Sequence, residues 1–216
     1  MKHEETRLYL KQLEVGPMQN FVYLIGDRQK RECVMVDPAW EVTRVLEVAK
    51  KDEMNVTAAL VTHAHFDHVN GLDDFLKQVK GKIYCQPDEA EFLKSWRSDL
   101  KPVASGEKLT VGEIEITFLH TPGHTPGSQC FLVQDKLVSG DTLFIQACGR
   151  CDLPGGDPEQ MYYSLKRLAE LDEKTILYPG HNYSDEPAST IGQERRWNPY
   201  LQSPNLQDFL TFRMRR

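Results

Sequence analysis

The sequence predicts one α/β domain, a sandwich of two sheets flanked by helices, and three observations predict it. The chain has 216 residues of ordinary composition, 40% hydrophobic and 27% charged, enough to bury a core of its own and too apolar for a disordered chain. Alternating or apolar runs bounded by Gly, Pro and Asp read as strands, and apolar residues three and four apart read as helices. Each half of the chain runs strands, helix, strand, a pattern that suggests two sheets packed face to face.

The elements follow in order. Arg7 to Val15 alternates apolar and polar residues, Gly16-Pro17 turns the chain, and Phe21 to Ile25 alternates again. Gly26-Asp27 leads to Cys33–Val36, completing an antiparallel start that Asp37-Pro38 breaks. Val42, Val45, Leu46, Val48 and Ala49 recur at helical spacing, and Ala58–Val61 is a short buried strand. A helix over about Leu72 to Val79, a strand at Lys82–Cys85 and a helix from Asp88 to Trp96 close the first half. Strands follow at Leu109–Val111, Ile114–Leu119, Gln129–Val133 and Lys136–Ser139. After a loop with Gly149, Gly155 and Gly156, a helix from about Pro158 to Leu171 carries Met161, Leu165, Leu168 and Leu171 on one stripe. The strand Thr175–Tyr178 ends at Pro179-Gly180-His181. No linker or repeat interrupts this order.

Bulk properties exclude several classes. A net charge of −6 argues against a nucleic-acid partner, which would want a basic face. The five cysteines are an odd number, scattered and mostly within apolar runs, the usage of a reducing compartment. The N-terminus is too charged for a signal peptide, and no run approaches the roughly 20 apolar residues of a membrane span. The expectation is a cytoplasmic protein with no membrane partner.

The chemistry concentrates directly after Ala58–Val61. In Thr62-His63-Ala64-His65-Phe66-Asp67-His68-Val69-Asn70-Gly71, three histidines and an aspartate fall within six positions. Such a cluster on a strand-end loop offers the N and O ligands a divalent metal needs. His63 and His65, two apart in extended chain, point to the same side. All four would crowd a single four-coordinate site, so the spacing hints at two metals side by side. Three further strand-end loops carry a candidate ligand after a glycine: Gly123-His124, Gly140-Asp141 and Gly180-His181. Of the remaining histidines, His3 reads as exposed and His120 as packing.

The ordered set His63-x-His65-x-Asp67-His68, His124, Asp141 and His181 resembles the metallo-β-lactamase superfamily in its glyoxalase II-like branch, over nearly the whole chain. The resemblance implies an αββα sandwich with a dinuclear site on one edge. His63, His65 and His124 would hold the first metal, Asp67, His68 and His181 the second, and Asp141 would bridge them. Glyoxalase II enzymes continue into a helical domain that grips glutathione. Here only Asn182 to Arg216 remains, too short for one, so the expectation is a single domain over 1–216. The tail from Ser189 is similar to the small stand-alone zinc hydrolases of bacterial polyketide synthase clusters, thought to clear acyl groups from carrier-protein thioesters. The segment Cys148-Gly149-Arg150-Cys151-Asp152, with Met161 and Leu165, resembles persulfide dioxygenases of the same fold.

The implied reaction is hydrolysis of a thioester, on a carrier protein or on glutathione, by a hydroxide bridging two zinc ions. Metal coordination brings the pKa of a bound water to about 7. Asp67 would double as an orienting or proton-accepting group. The alternative is a persulfide dioxygenase with one iron on a two-His-one-carboxylate face. The third class is a non-catalytic, metal-dependent binding module. Arg150 and Tyr183 are candidate substrate contacts, Arg150 because it would pair with a substrate anion. Cys148-x-x-Cys151, an isolated pair, reads as structural or as lining of the substrate loop. Arg195, Arg196, Arg213, Arg215 and Arg216 make a basic tail that would attract an acidic carrier. Oligomeric state is open.

Overall fold

The computed structural model describes residues 6–214; His3, Arg215 and Arg216 lie outside the described residues. Strands β1 (Leu8–Val15), β2 (Asn20–Asp27) and β3 (Glu32–Val36) form the antiparallel start. Helix α1 (Val42–Lys51) crosses to β4 (Asn55–Leu60), which pairs parallel to β3. One turn of helix, α2 (Phe66–Val69), then α3 (Leu72–Gln78), lead to β5 (Ile83–Cys85) and β6 (Leu100–Pro102), both parallel continuations. This first six-stranded sheet runs in sequence order.

The second sheet begins with β7 (Lys108–Val111), β8 (Ile114–His120), β9 (Gln129–Val133) and β10 (Lys136–Gly140), all antiparallel neighbours. A small hairpin, β11 (Leu143–Phe144) with β12 (Ala147–Cys148), precedes α4 (Pro158–Ala169). Strand β13 (Ile176–Pro179) returns parallel to β10, and β14 (Ser189–Thr190) closes the sheet. Two more helices, α5 (Ile191–Trp197) and α6 (Leu206–Arg213), end the chain.

Three apolar clusters make this a four-layer αββα sandwich. Val42, Val45, Leu72 and Phe75 of α1 and α3 pack on Val22, Leu24 and Met35 of the first sheet. Phe21, Tyr23, Ile25 and Leu60 meet Ile116, Phe118, Phe131 and Val138 between the sheets. Met161, Leu165 and Leu168 of α4 cover Leu137 and Leu177 with Ile191 and Phe209. Met161, Leu165 and Leu168 of the expected stripe are therefore the buried face of α4, Leu171 lies past its end and is half-buried, and Asp157 starts the helix by accepting from the N–H groups of Glu159 and Gln160.

The helix expected from Asp88 to Trp96 is not formed. The segment makes two single 3-10 turns, Pro87–Glu89 and Lys94–Trp96. Glu89 is turned inward at 1% exposure, where its carboxylate accepts from the Ala64 N–H (2.8 Å), the Gly127 N–H (2.9 Å) and the Thr125 hydroxyl (2.5 Å). Those three bonds outweigh the local helix preference.

The sheets are also stitched at one edge. The Phe21 N–H donates to the Gly180 carbonyl and the Gln129 N–H to the Thr62 carbonyl. All four ligand-bearing loops leave the sandwich there.

Candidate metal centre

Backbone geometry delivers each side chain. His65 caps α2, whose single turn swings Asp67 and His68 inward. His124 comes from the loop between β8 and β9, Asp141 follows β10 and His181 follows β13. Gly140 has φ 49°, and a Cβ there would lie 2.6 Å from the Thr62 Cβ. At Gly180 a Cβ would lie 2.3 Å from Asp141 Oδ1. Glycine before the ligand is thus a requirement of close approach at both positions.

The seven predicted ligand side chains converge. Ligand atoms of His63, His65 and His124 lie within 4.8 Å of one another, and so do those of Asp67, His68 and His181. His63, His68 and Asp141 form a third such group linking the two. Asp141 is central: Oδ1 is 3.3 Å from His68 Nε2, and Oδ2 is 3.5 Å from His124 Nε2 and 3.4 Å from His181 Nε2. Asp67 Oδ2 is 3.4 Å from His181 Nε2.

Four of the histidines are held by Nδ1, which leaves Nε2 facing the centre. His68 donates to Asp37 Oδ2 (2.9 Å), His124 to the Arg150 carbonyl (2.7 Å) and His181 to the Met18 carbonyl (2.9 Å). Thr62 gives its hydroxyl proton to Asp37 (2.6 Å), so its oxygen accepts from His63 Nδ1 (3.0 Å). Partners of this kind fix tautomer and ring orientation in metal sites. Sequence reasoning missed Asp37, Thr62, Asn20 and Glu89. Asp37-Pro38 read only as a strand breaker, yet Asp37 takes φ 51° and also accepts from the Thr62 N–H at 2.7 Å. Asn20 donates to Asp67 Oδ2 at 2.8 Å. Glu89 ties the loop of His63 and His65 to the loop of His124.

These groups fit a cation. His63 Nε2, His124 Nε2 and Asp141 Oδ1 are buried without a hydrogen-bond partner, each a cost of about 1–3 kcal/mol that folded proteins rarely leave standing. Burial, then the neighbouring His68, holds His63 well below the usual histidine range. Burial lowers His65 to about 4. His63 and His65 thus offer neutral imidazoles at pH 7. Burial also opposes charge on His68, but Asp141 and Asp37 outweigh it and raise that histidine well above its ordinary value. His68 therefore holds a proton at pH 7 that a metal must displace. A metal at His68 Nε2 should displace that proton, about one per chain, with affinity rising with pH up to His68's raised value and levelling off above it. Calorimetric zinc titration in buffers of different ionisation enthalpy measures that number; zero protons at pH 7 would contradict the assignment.

The other expectations land unevenly. Tyr183 stacks on His181 with ring centroids 4.6 Å apart and is otherwise exposed. Arg150 is exposed and paired with Asp152 (2.9 and 3.0 Å), so it meets a substrate anion only by exchanging that partner; its backbone carbonyl is what touches the centre, through His124. Cys148 and Cys151 are buried free thiols in the third core cluster. His120 bonds the Pro126 carbonyl at 2.8 Å. The basic tail is divided: Arg195 bonds the Leu171 carbonyl, while Arg213 bonds the Gly149 carbonyl at 3.0 Å and lies over Tyr200. A cleft of about 690 Å³ lies elsewhere, between Thr57, Lys80, Tyr84 and Thr110, and holds none of the candidate ligand side chains. Chemistry rather than size marks the site. No helix among the described residues is long and apolar enough to cross a membrane.

Comparisons with known proteins agree with this geometry. Residues 15–181 match the sequence profile of the metallo-beta-lactamase superfamily. The chain is 32% identical over 198 residues to the probable polyketide biosynthesis zinc-dependent hydrolase BaeB of Bacillus velezensis, covering 91% of this chain and 88% of that one. It is 31% identical over 196 residues to the mitochondrial persulfide dioxygenase ETHE1 of Mus musculus, covering 89% of this chain and 75% of that one. The crystal structure of ETHE1 from Myxococcus xanthus matches with a TM-score of 0.87 at 29% identity, over 94% of this chain and 89% of that one.

Proposed function

The chain belongs to the metallo-β-lactamase superfamily, and from that premise we propose that it is a dinuclear zinc hydrolase that cleaves a thioester. The observation that carries this reading is the pair of complete ligand triads with Asp141 between them. One-iron oxygen chemistry needs three protein ligands and would leave four of the seven side chains, Asp67, His68 and His181 among them, without work. The likeness to BaeB, named a zinc-dependent hydrolase, points the same way.

Two divalent cations bound there supply a Lewis acid for the carbonyl and a water acidic enough to attack at neutral pH. The chain's own residues do the rest. Asp67, oriented by Asn20, accepts the proton of the attacking water. Asp37, Thr62, Met18 and the Arg150 carbonyl hold the imidazoles in one orientation through the cycle. Tyr183 flanks the substrate beside His181 and stays protonated, since burial and then the carboxylates of Asp141 and Asp67 push its hydroxyl up to about 12. A thiolate leaving group needs no proton from the enzyme, and a thioester therefore suits a centre whose histidines are all engaged as ligands.

The test is turnover of matched thioesters of glutathione, coenzyme A and a carrier protein, with metal content measured on the same sample. The reading expects hydrolysis of at least one of them by zinc-containing protein. Iron near one equivalent, with oxygen uptake on glutathione persulfide, would establish the dioxygenase that the ETHE1 likeness favours. Full metal loading with no turnover of any thioester would leave a binding module.

A further inference from the structure

A cavity of about 50 Å³ opens directly beside His65, walled by Ala64, Phe92, Pro126 and Pro154. Its walls come from four separate segments: the loop of His63 and His65, the 3-10 segment, the loop of His124 and the loop preceding α4. From these walls and this volume we infer that the cavity is the acyl subsite, and that it selects short, unbranched, apolar acyl groups. The inference rests on the thioesterase reading.

Three observations carry it. First, His65 is at once a wall of the cavity and a member of the first triad, so a group seated there is joined to whatever carbonyl lies at the centre. Tyr183 and Phe144 lie on the other flank, against His181, which leaves that side for the thiol arm. Second, the two polar side chains that reach the cavity besides His65 are already committed. The Glu89 carboxylate accepts three hydrogen bonds, and the Thr125 hydroxyl is the donor of one of them. Neither is free to recognise a hydroxyl or carboxylate on the acyl group, and a polar acyl group would lose its water without replacement. Third, the volume is small. A cavity of about 150 Å³ holds a benzene molecule, so about 50 Å³ accommodates roughly two or three carbon atoms.

Phe92 sets the limit. It is 62% exposed, so its ring is a wall that a substrate completes and not part of the folded core. Covering that ring removes apolar surface from water, which favours an acyl chain that reaches it and no further. Because Phe92 is exposed, replacing it leaves the core intact.

The experiment compares thioesters of one thiol with acyl groups from acetyl to octanoyl, on the wild type, Phe92→Ala and Phe92→Trp. The wild type should prefer acetyl to butyryl, with kcat/KM falling about tenfold or more beyond that, the scale on which an apolar pocket discriminates. Phe92→Ala should raise the octanoyl-to-propionyl ratio about tenfold, and Phe92→Trp should lower the limit toward acetyl. A ratio unmoved in both variants would overturn the inference. A second arm does not depend on turnover: binding of acetate through octanoate to the zinc-loaded protein, measured by calorimetry. The same chain-length limit, shifted the same way by the two variants, supports the subsite even if every thioester proves inert and the hydrolase reading falls. Carboxylate affinities indifferent to length and to Phe92 would overturn it.

Discussion

Replacing Asp141 by Asn should abolish the second metal and lower kcat/KM at least about a thousandfold. The carboxylate stands between the triads, 3.3 Å from His68 Nε2 and 3.4–3.5 Å from the Nε2 atoms of His181 and His124. Asn keeps the shape but removes the charge, and it turns one of the two acceptor atoms into a donor aimed at a cation. Losing a second Lewis acid is a loss of several kcal/mol of transition-state stabilisation, and about 4 kcal/mol is a thousandfold in rate. Metal content measured beside activity checks the cause. Thermal melting in chelator is the control, because an unfolded variant would lose both for another reason. Two equivalents retained at near-normal rate would remove Asp141 from its place between the metals.

Asp37→Ala should be the most destabilising single change near the site, although Asp37 binds no metal in this account. Its carboxylate accepts from the Thr62 N–H, the Thr62 hydroxyl and His68 Nδ1, all buried. Truncation orphans the N–H and the imidazole donor, at about 1–3 kcal/mol each. A total of roughly 3 kcal/mol lowers the melting temperature of a chain this size by about 6–12 °C. His68 also loses the group that fixes its ring, and outer partners of this kind contribute about 10–100-fold to metal affinity. Melting of the metal-free protein reads the first effect, and zinc titration reads the second. Thr62→Val, which keeps the backbone donor, should show a smaller version of both. A melting temperature within about a degree of wild type would show that Asp37 is not the anchor described.

The side chains of the candidate metal centre were legible because each announces itself locally. Three histidines and an aspartate after an apolar strand need no tertiary information, and Gly-His and Gly-Asp at strand ends mark turns that aim a side chain. The strands and the buried stripe of α4 were legible by periodicity, which burial rewards directly. What supports the ligands was not. Asp37 lies 25 residues before Thr62 and 31 before His68, and nothing beside Asp37 in the chain shows that a parallel strand pairing will bring them together. The Arg150 and Met18 carbonyls act through the backbone and leave no trace in residue identity. Glu89 read as a polar position on a helix because helical spacing ignores a carboxylate whose partners, Ala64, Thr125 and Gly127, come from elsewhere. Arg150 is the opposite case: its side chain drew the eye and pairs with Asp152, while its carbonyl holds His124.

Saturating zinc titration of the metal-free protein, read by elemental analysis after removal of excess ion, tests the seven-ligand centre most directly. Two equivalents per chain are predicted, with one lost in His65→Ala and the other retained. One equivalent at saturation, unchanged by that substitution, would contradict the account.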